Sequence, residues 1–180
     1  MGDLAALLQE MQAEFPRFRI VPKRGNRLSR LIDVLLKTVT LGGQSQYLTH
    51  YHTVIGDTLY VPSSWESTSA VRKMITLRHE RVHLRQRRRY SFIGMAILYL
   101  VPILPIGLAL GRARLEWEAY RETLRATFEL EGRQALLDPA LREHVVSQFV
   151  GAAYGWMWPF RRQVERWYDE ALAAICDASP

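Results

Sequence analysis

The chain is poor in cysteine and shows no export signal. Cys176 is the only cysteine among the 180 residues, so an internal disulfide is excluded and the cysteine spacing of a zinc ribbon is missing. The N-terminus carries Asp3 where a secretion signal has basic residues, and no apolar run of signal length follows it. We therefore expect a cytoplasmic protein, with association with a membrane surface left open.

Lysine is also scarce, because arginine supplies almost all of the positive charge. The 24 Lys+Arg residues, of which only Lys23, Lys37 and Lys73 are lysines, give a formal net charge of +6 against 18 Asp+Glu. This charge fits an ordinary basic domain or attraction to an anionic surface, either lipid or nucleic acid. The sequence lacks a helix-turn-helix signature, a zinc knuckle and a base-stacking motif, so we expect no specific nucleic-acid partner.

The apolar residues that are present suffice for one core. A composition of 48% hydrophobic and 23% charged residues fits a single domain over residues 1–180. Apolar residues at helical spacing predict helices over residues 3–15, 64–84, 116–130, 139–150 and 160–175, with Trp167 and Leu172 facing inward in the last. Pro16 ends the first helix, and Ser63 stands three residues before Glu66 at the spacing of a capping box, which places the second helix start near Ser64.

The predicted strands lie in the first third of the chain. Residues 49–61 are rich in Tyr, Thr, Val and Ile around Gly56-Asp57, which predicts a β-hairpin. Residues 17–30 predict a strand followed by a loop, and residues 31–36 either a short buried helix or a strand. The expected fold class is α+β and mainly helical, with a small β-sheet before the second helix.

The second predicted helix carries the sequence His79-Glu80-Arg81-Val82-His83, which matches the H-E-x-x-H pattern. Histidines four residues apart lie on one helix face, so both imidazoles can bind one metal ion while Glu80 faces the water that the metal activates. Zn²⁺ is the expected cofactor, because imidazole suits zinc and a catalytic zinc takes three protein ligands plus water. The alternative is an accidental match on a solvated, arginine-rich helix face.

A third ligand has to come from another helix, because the next histidine after His83 is His144. The segment Arg112–Tyr120 follows in a helix-favouring stretch. An H-E-x-x-H helix followed by a helix with a ligand glutamate resembles the gluzincin class of zinc metallopeptidases. This segment is also distantly similar to the ligand block of membrane-embedded zinc proteases that process CAAX proteins or act in membrane quality control. The resemblance implies a minimal zincin-like domain.

The resemblance also implies a role for each residue of the site. His79, His83 and Glu116 are the expected zinc ligands, and Glu80 is the expected general base. Glu118 lies about 200° round the helix from Glu116 and cannot face the same ion. Tyr120 stands where the family has an aspartate and is expected to orient a ligand by a hydrogen bond.

The implied activity is hydrolysis of a peptide bond in a peptide or protein substrate, by an endopeptidase in preference to an exopeptidase. The donor that stabilises the oxyanion is not assigned by spacing, and His144, Tyr154 and Tyr120 are the candidates. Residues 58–61 are expected to be an edge strand that pairs with an extended substrate.

Two alternative functions remain. One is a catalytically silent zinc-binding protein of the same fold, indicated by Arg81 at a middle position that is usually uncharged and by Tyr120 in place of the aspartate. The other is a basic membrane-surface protein with an accidental H-E-x-x-H.

Residues 92–110 form a charge-free segment between the two motifs. Its length matches a membrane span, but Gly94, Pro102, Pro105 and Gly107 interrupt it. A single crossing would also place His83 and Glu116 on opposite sides of the bilayer. Three interpretations stay open: a buried helical hairpin that turns at residues 102–105, a hairpin that dips into one leaflet, and a true span that excludes the zinc site.

Overall fold

The computed structural model describes residues 3–23, 52–100, 109–151 and 157–178. In chain order they form α1 (Leu4–Glu14), β1 (Arg19–Pro22), β2 (Thr53–Ile55), β3 (Thr58–Val61), a 3₁₀ helix (Ser63–Trp65), α2 (Ala70–Leu100), α3 (Leu110–Glu131), α4 (Arg133–Leu136), α5 (Pro139–Val150) and α6 (Arg161–Asp177). The described chain is mainly helical with one small sheet, which confirms the predicted α+β class. The prediction for residues 31–36 falls outside the described residues.

The chain divides into two compact units, residues 1–74 and residues 75–180, here called the N-terminal unit and the C-terminal unit. The boundary falls within α2, so this helix begins in one unit and continues in the other. The single domain expected over residues 1–180 stays a prediction.

The N-terminal unit begins with α1, at the position that the apolar spacing predicts. The side chain of Asp3 accepts a hydrogen bond from the backbone N–H of Ala5 at 2.9 Å, which satisfies one of the free donors of the first turn. Met11 and Phe15 are buried at 0% and 1% exposure, and the helix ends just before Pro16. Burial of this apolar face holds α1 in the unit.

The sheet of the N-terminal unit has the strand order β1-β3-β2. The predicted hairpin forms, with Ile55 opposite Thr58 across the turn and Gly56 at φ 62°, a backbone conformation that glycine adopts without strain. Strand β1 pairs in parallel with β3, from Arg19 opposite Thr58 onward. Strand β3 is therefore central, and the expectation that residues 58–61 offer a free edge to a substrate is wrong.

The start of the second helix differs from the prediction. Residues 63–65 form a 3₁₀ helix, and α2 begins only at Ala70. The hydroxyl groups of Ser67 and Thr68 both donate to the carbonyl of Ser64 at 2.9 Å, and such local bonds compete with the α-helical ladder. Ser69 caps the first turn of α2, since its Oγ accepts a hydrogen bond from the N–H of Arg72 at 3.3 Å.

The C-terminal unit is a helical assembly with its own core. Trp167 and Leu172 pack against that core, as predicted for the last helix. The buried residues of this core come from α3, α4, α5, α6 and the segment just before α6, and include Leu124, Leu136, Val145, Val146, Phe149, Met157, Val164 and Tyr168. Helices α3, α5 and α6 occupy the predicted regions, although α3 begins at Leu110, earlier than expected.

The apolar segment starts inside α2, which continues to Leu100. Ser91 interrupts the helix with φ 61° and ψ 172°, and its Oγ accepts from the N–H of Gly94 at 3.3 Å to cap the following turn. The predicted turn at residues 102–105 falls outside the described residues. In the described parts of the chain, none of the helices combines the length and the apolar character that crossing a bilayer requires.

Candidate metal centre

Three potential ligands from two helices meet within the C-terminal unit. The four-residue spacing on α2 places Nε2 of His79 and Nε2 of His83 3.2 Å apart. Helix α3 contributes Glu116, whose Oε2 lies 3.7 Å from Nε2 of His83. One ligand atom from each of the three residues lies within 4.8 Å of the others.

These separations fit a small metal ion. Zinc bonds to nitrogen and oxygen of about 2.0–2.2 Å in a tetrahedron place neighbouring ligand atoms roughly 3.4 Å apart. The distances of 3.2 Å and 3.7 Å that involve His83 bracket that value. Two imidazole nitrogens and one carboxylate oxygen also form a set of donors that zinc binds well.

The 3.7 Å distance between His83 and Glu116 bears on the apolar segment. Because the two side chains lie this close together, the chain that leaves His83 must turn back before it reaches Glu116. The interpretation of residues 92–110 as a single membrane crossing does not fit this convergence. The buried hairpin and the leaflet-dipping hairpin stay predictions.

His79 has its second ring nitrogen held by Thr123 on α3. Nδ1 of His79 lies 2.9 Å from Oγ1 of Thr123, and that hydroxyl also lies 3.3 Å from the carbonyl of Ala119, to which it can donate. Without a metal, the 3.2 Å contact between the two Nε2 atoms needs a hydrogen on one of them, so this hydroxyl can accept from Nδ1–H of His79 or donate to Nδ1. Metal binding through Nε2 would require the Nδ1–H tautomer, in which the Thr123 oxygen accepts from Nδ1.

His83 has an equivalent partner in Gln86, one turn later on α2. Nδ1 of His83 lies 2.9 Å from Oε1 of Gln86. The amide nitrogen of Gln86 donates to the carbonyl of Leu115 and to Oε2 of Glu118, both at 2.9 Å. Since these two acceptors fix the amide orientation, Oε1 faces His83 and accepts from its Nδ1–H. His83 thus presents the electron pair of Nε2.

The carboxylates give this site a negative potential. Glu80 and Glu116 are both 7% exposed. Burial alone lowers the pKa of His83, but the charges of Glu116 and Glu80 and the hydrogen bond to Gln86 outweigh it, so this pKa lies above its ordinary value of 6.5. Buried carboxylates that stabilise a positive charge on His83 also favour a bound cation at the same place.

Tyr120 contacts the site through its ring. The ring packs edge-on against His79 with a centroid distance of 5.0 Å, and its centroid also lies 5.6 Å from that of the Phe149 ring. Tyr120 therefore connects the imidazole of His79 to the core of the C-terminal unit. Its expected hydrogen bond to a ligand stays a prediction.

An ion-pair network links α2 and α3 beside the site. Nε of Arg78 donates to Oε1 of Glu122 at 2.6 Å, and the same guanidinium binds Glu129. Arg78 directly precedes His79 in sequence. The network therefore fixes the two ligand-bearing helices relative to each other at the level of the first ligand.

Two other residues named in the sequence analysis, His144 and Glu118, are not members of this cluster. His144 is exposed on α5 and is not a member of the His79–His83–Glu116 group. Tyr154 falls outside the described residues. Glu118 is exposed and binds Gln86, in agreement with its predicted position away from Glu116. The roles of His144 and Tyr154 in oxyanion stabilisation stay predictions.

The sequence interpretation missed Thr123, Gln86 and Arg78. Gln86 follows His83 by three residues and Thr123 follows Glu116 by seven, and both spacings repeat a helix face. A search for polar residues on those faces would have found two of the three. Arg78 offered no such signal, because its partners depend on how α3 packs on α2.

Comparison with known protein families, with characterised proteins and with solved structures gives no match for this chain. The interpretation of the site therefore depends on its own geometry and on the two sequence motifs.

Proposed function

We propose that the protein is a zinc-dependent metallopeptidase of the gluzincin type. The observation that carries this proposal is the convergence of His79, His83 and Glu116 on one point, with a hydrogen-bonding partner at Nδ1 of each histidine. A solvated helix face with two accidental histidines gives no reason for Thr123 and Gln86 to hold the two Nδ1 atoms.

Zinc bound by these three residues would supply a Lewis acid and lower the pKa of water to near neutrality. Glu80 is adjacent to His79 in sequence and buried, and its charge acts on His83. In the proposed reaction Glu80 accepts a proton from the attacking water. It then delivers this proton to the nitrogen of the leaving amine as the peptide bond breaks. The substrate is a peptide or a protein, and cleavage within the chain is expected.

The metal site is tested by the zinc content of the purified protein. We expect about one equivalent of zinc in the wild type and loss of that zinc in Glu116→Ala, because three protein ligands are needed for a catalytic zinc site. Glu131→Ala is a matched control, since Glu131 is an exposed glutamate at the end of the same helix. Equal zinc contents in Glu116→Ala and the control, or no zinc in the wild type, would contradict the proposal. The latter result favours a basic membrane-surface protein with an accidental motif.

The catalytic role of Glu80 is tested by Glu80→Gln. This change keeps the shape of the side chain and removes its ability to accept a proton, so we expect zinc binding to persist while kcat for a peptide library falls by about 100-fold or more. Glu66→Gln, at an exposed position, controls for the loss of one charge. Zinc binding without any cleavage, unaffected by Glu80→Gln, would instead identify a catalytically silent zinc-binding protein.

A further inference from the structure

Gln86 is an unusual residue to find deeply buried in an arginine-rich helix. It is 3% exposed, although arginines occupy positions 85 and 87–89 around it. A buried amide costs free energy unless its donors and its acceptor are paired. Gln86 has a partner at both ends, since its oxygen contacts His83 and its nitrogen contacts Leu115 and Glu118.

The three contacts form a directed chain of hydrogen bonds. Glu118 accepts from the Gln86 amide nitrogen, and the Gln86 oxygen accepts from Nδ1–H of His83. The negative charge of Glu118 polarises the amide and makes its oxygen a stronger acceptor. A carboxylate that binds a ligand histidine directly fixes its ring and raises its basicity. Here one amide stands between the carboxylate and the histidine.

We propose that Gln86 is a positioning residue, and that with Glu118 it forms a relay that holds His83 as the Nδ1–H tautomer and sets the metal affinity of the site. The inference rests on the proposed zinc site. It assigns a function to Glu118, which is not one of the three proposed ligands, and it explains why a glutamine is buried three residues after His83. Because Leu115 and Glu118 belong to α3, the relay also makes the orientation of the His83 ring depend on the position of α3, the helix that carries Glu116.

The relay is tested first by removing it. Gln86→Met keeps the length of the side chain and removes both ends of the hydrogen-bond chain. We expect zinc affinity, measured by competition with a chromophoric chelator, to fall by about 10- to 100-fold. Gln134→Met is the control, because Gln134 is exposed on α4, and it should bind zinc like the wild type. Unchanged zinc affinity in a folded Gln86→Met protein overturns the inference.

A reciprocal exchange separates the relay from a merely structural role. In the double variant Gln86→Glu/Glu118→Gln, the carboxylate at position 86 accepts from His83 and the amide at position 118 donates to that carboxylate. The bond from His83 keeps its direction, whereas the bond between positions 86 and 118 reverses and the bond to the Leu115 carbonyl is lost, so zinc affinity should recover in part and exceed that of Gln86→Met. A folded double variant that binds zinc as weakly as Gln86→Met overturns the relay.

A spectroscopic measurement decides the tautomer without any metal. Long-range ¹H–¹⁵N correlation spectra of the zinc-free protein, recorded at alkaline pH where the imidazole is neutral, should show the proton of His83 on Nδ1 in the wild type and a mixture in Gln86→Met. Finding it on Nε2 in the wild type overturns the relay. A wild type that binds no zinc but shows the expected tautomers overturns the proposed function and leaves the positioning role of Gln86 supported.

Discussion

At the scale of residues, the three proposed ligands come from two short motifs, and their supporting contacts come from the packing of α2 against α3. His79, Glu80 and His83 follow from a spacing that one helix imposes by itself, and Glu116 follows from the resemblance of a second motif. Thr123 and Gln86 act across α2 and α3. The spacing on each helix face marks both residues as candidates, and the contact of Gln86 with His83 lies within α2. The contacts between the two helices depend on their register, which no local pattern of residues determines.

His52, which is not part of the proposed metal site, should make the stability of the protein depend on pH. His52, in the N-terminal unit, packs edge-on against Trp65 with ring centroids 5.4 Å apart. Burial, with a further contribution from the positive charge of Lys23, lowers the pKa of His52 to about 4. Between these two pKa values, the imidazole of His52 therefore binds a proton in the unfolded state but stays neutral in the native state. Between pH 6.5 and about pH 4 the free energy of unfolding should fall by up to about 3 kcal/mol through this residue.

The measurement is denaturant unfolding of the wild type and of His52→Phe across this range. Phenylalanine keeps the contact with Trp65 and cannot titrate, so the variant should lose less stability as the pH falls. His144→Phe, which replaces an exposed histidine, should follow the wild type. Parallel curves for the wild type and His52→Phe would show that His52 titrates normally in the native state.

At the scale of elements, the positions of most helices were predicted correctly. The start of α2 and the order of the strands were not. The apolar spacing located α1, α3, α5 and α6, because each buries one face against a core. The predicted start of α2 was wrong, because Ser67 and Thr68 hydrogen-bond to the carbonyl of Ser64 and the helix begins only at Ala70. The hairpin was correct, since its turn chemistry is local. The central position of β3 was missed, because it depends on β1, which pairs with β3 from more than thirty residues away.

At the scale of the whole molecule, the helix and strand patterns predicted the fold class but not the division of the chain into two units. An α+β, mainly helical chain was expected and is observed. The two units at residues 1–74 and 75–180 were not expected, and α2 runs through their boundary. All three proposed zinc ligands lie in the C-terminal unit. Zinc can therefore report whether the two units unfold together.

If residues 1–180 form a single cooperative domain, zinc bound in the C-terminal unit should protect both units. Zinc at about 100 times its dissociation constant stabilises the native state by about 2.7 kcal/mol. Hydrogen exchange limited by global unfolding should then slow by about 100-fold in β3 and in α5 alike. Glu116→Ala should show no response to zinc. Protection confined to residues 75–180 would mean two independent domains, because ligand binding stabilises only the cooperative unit that contains the site.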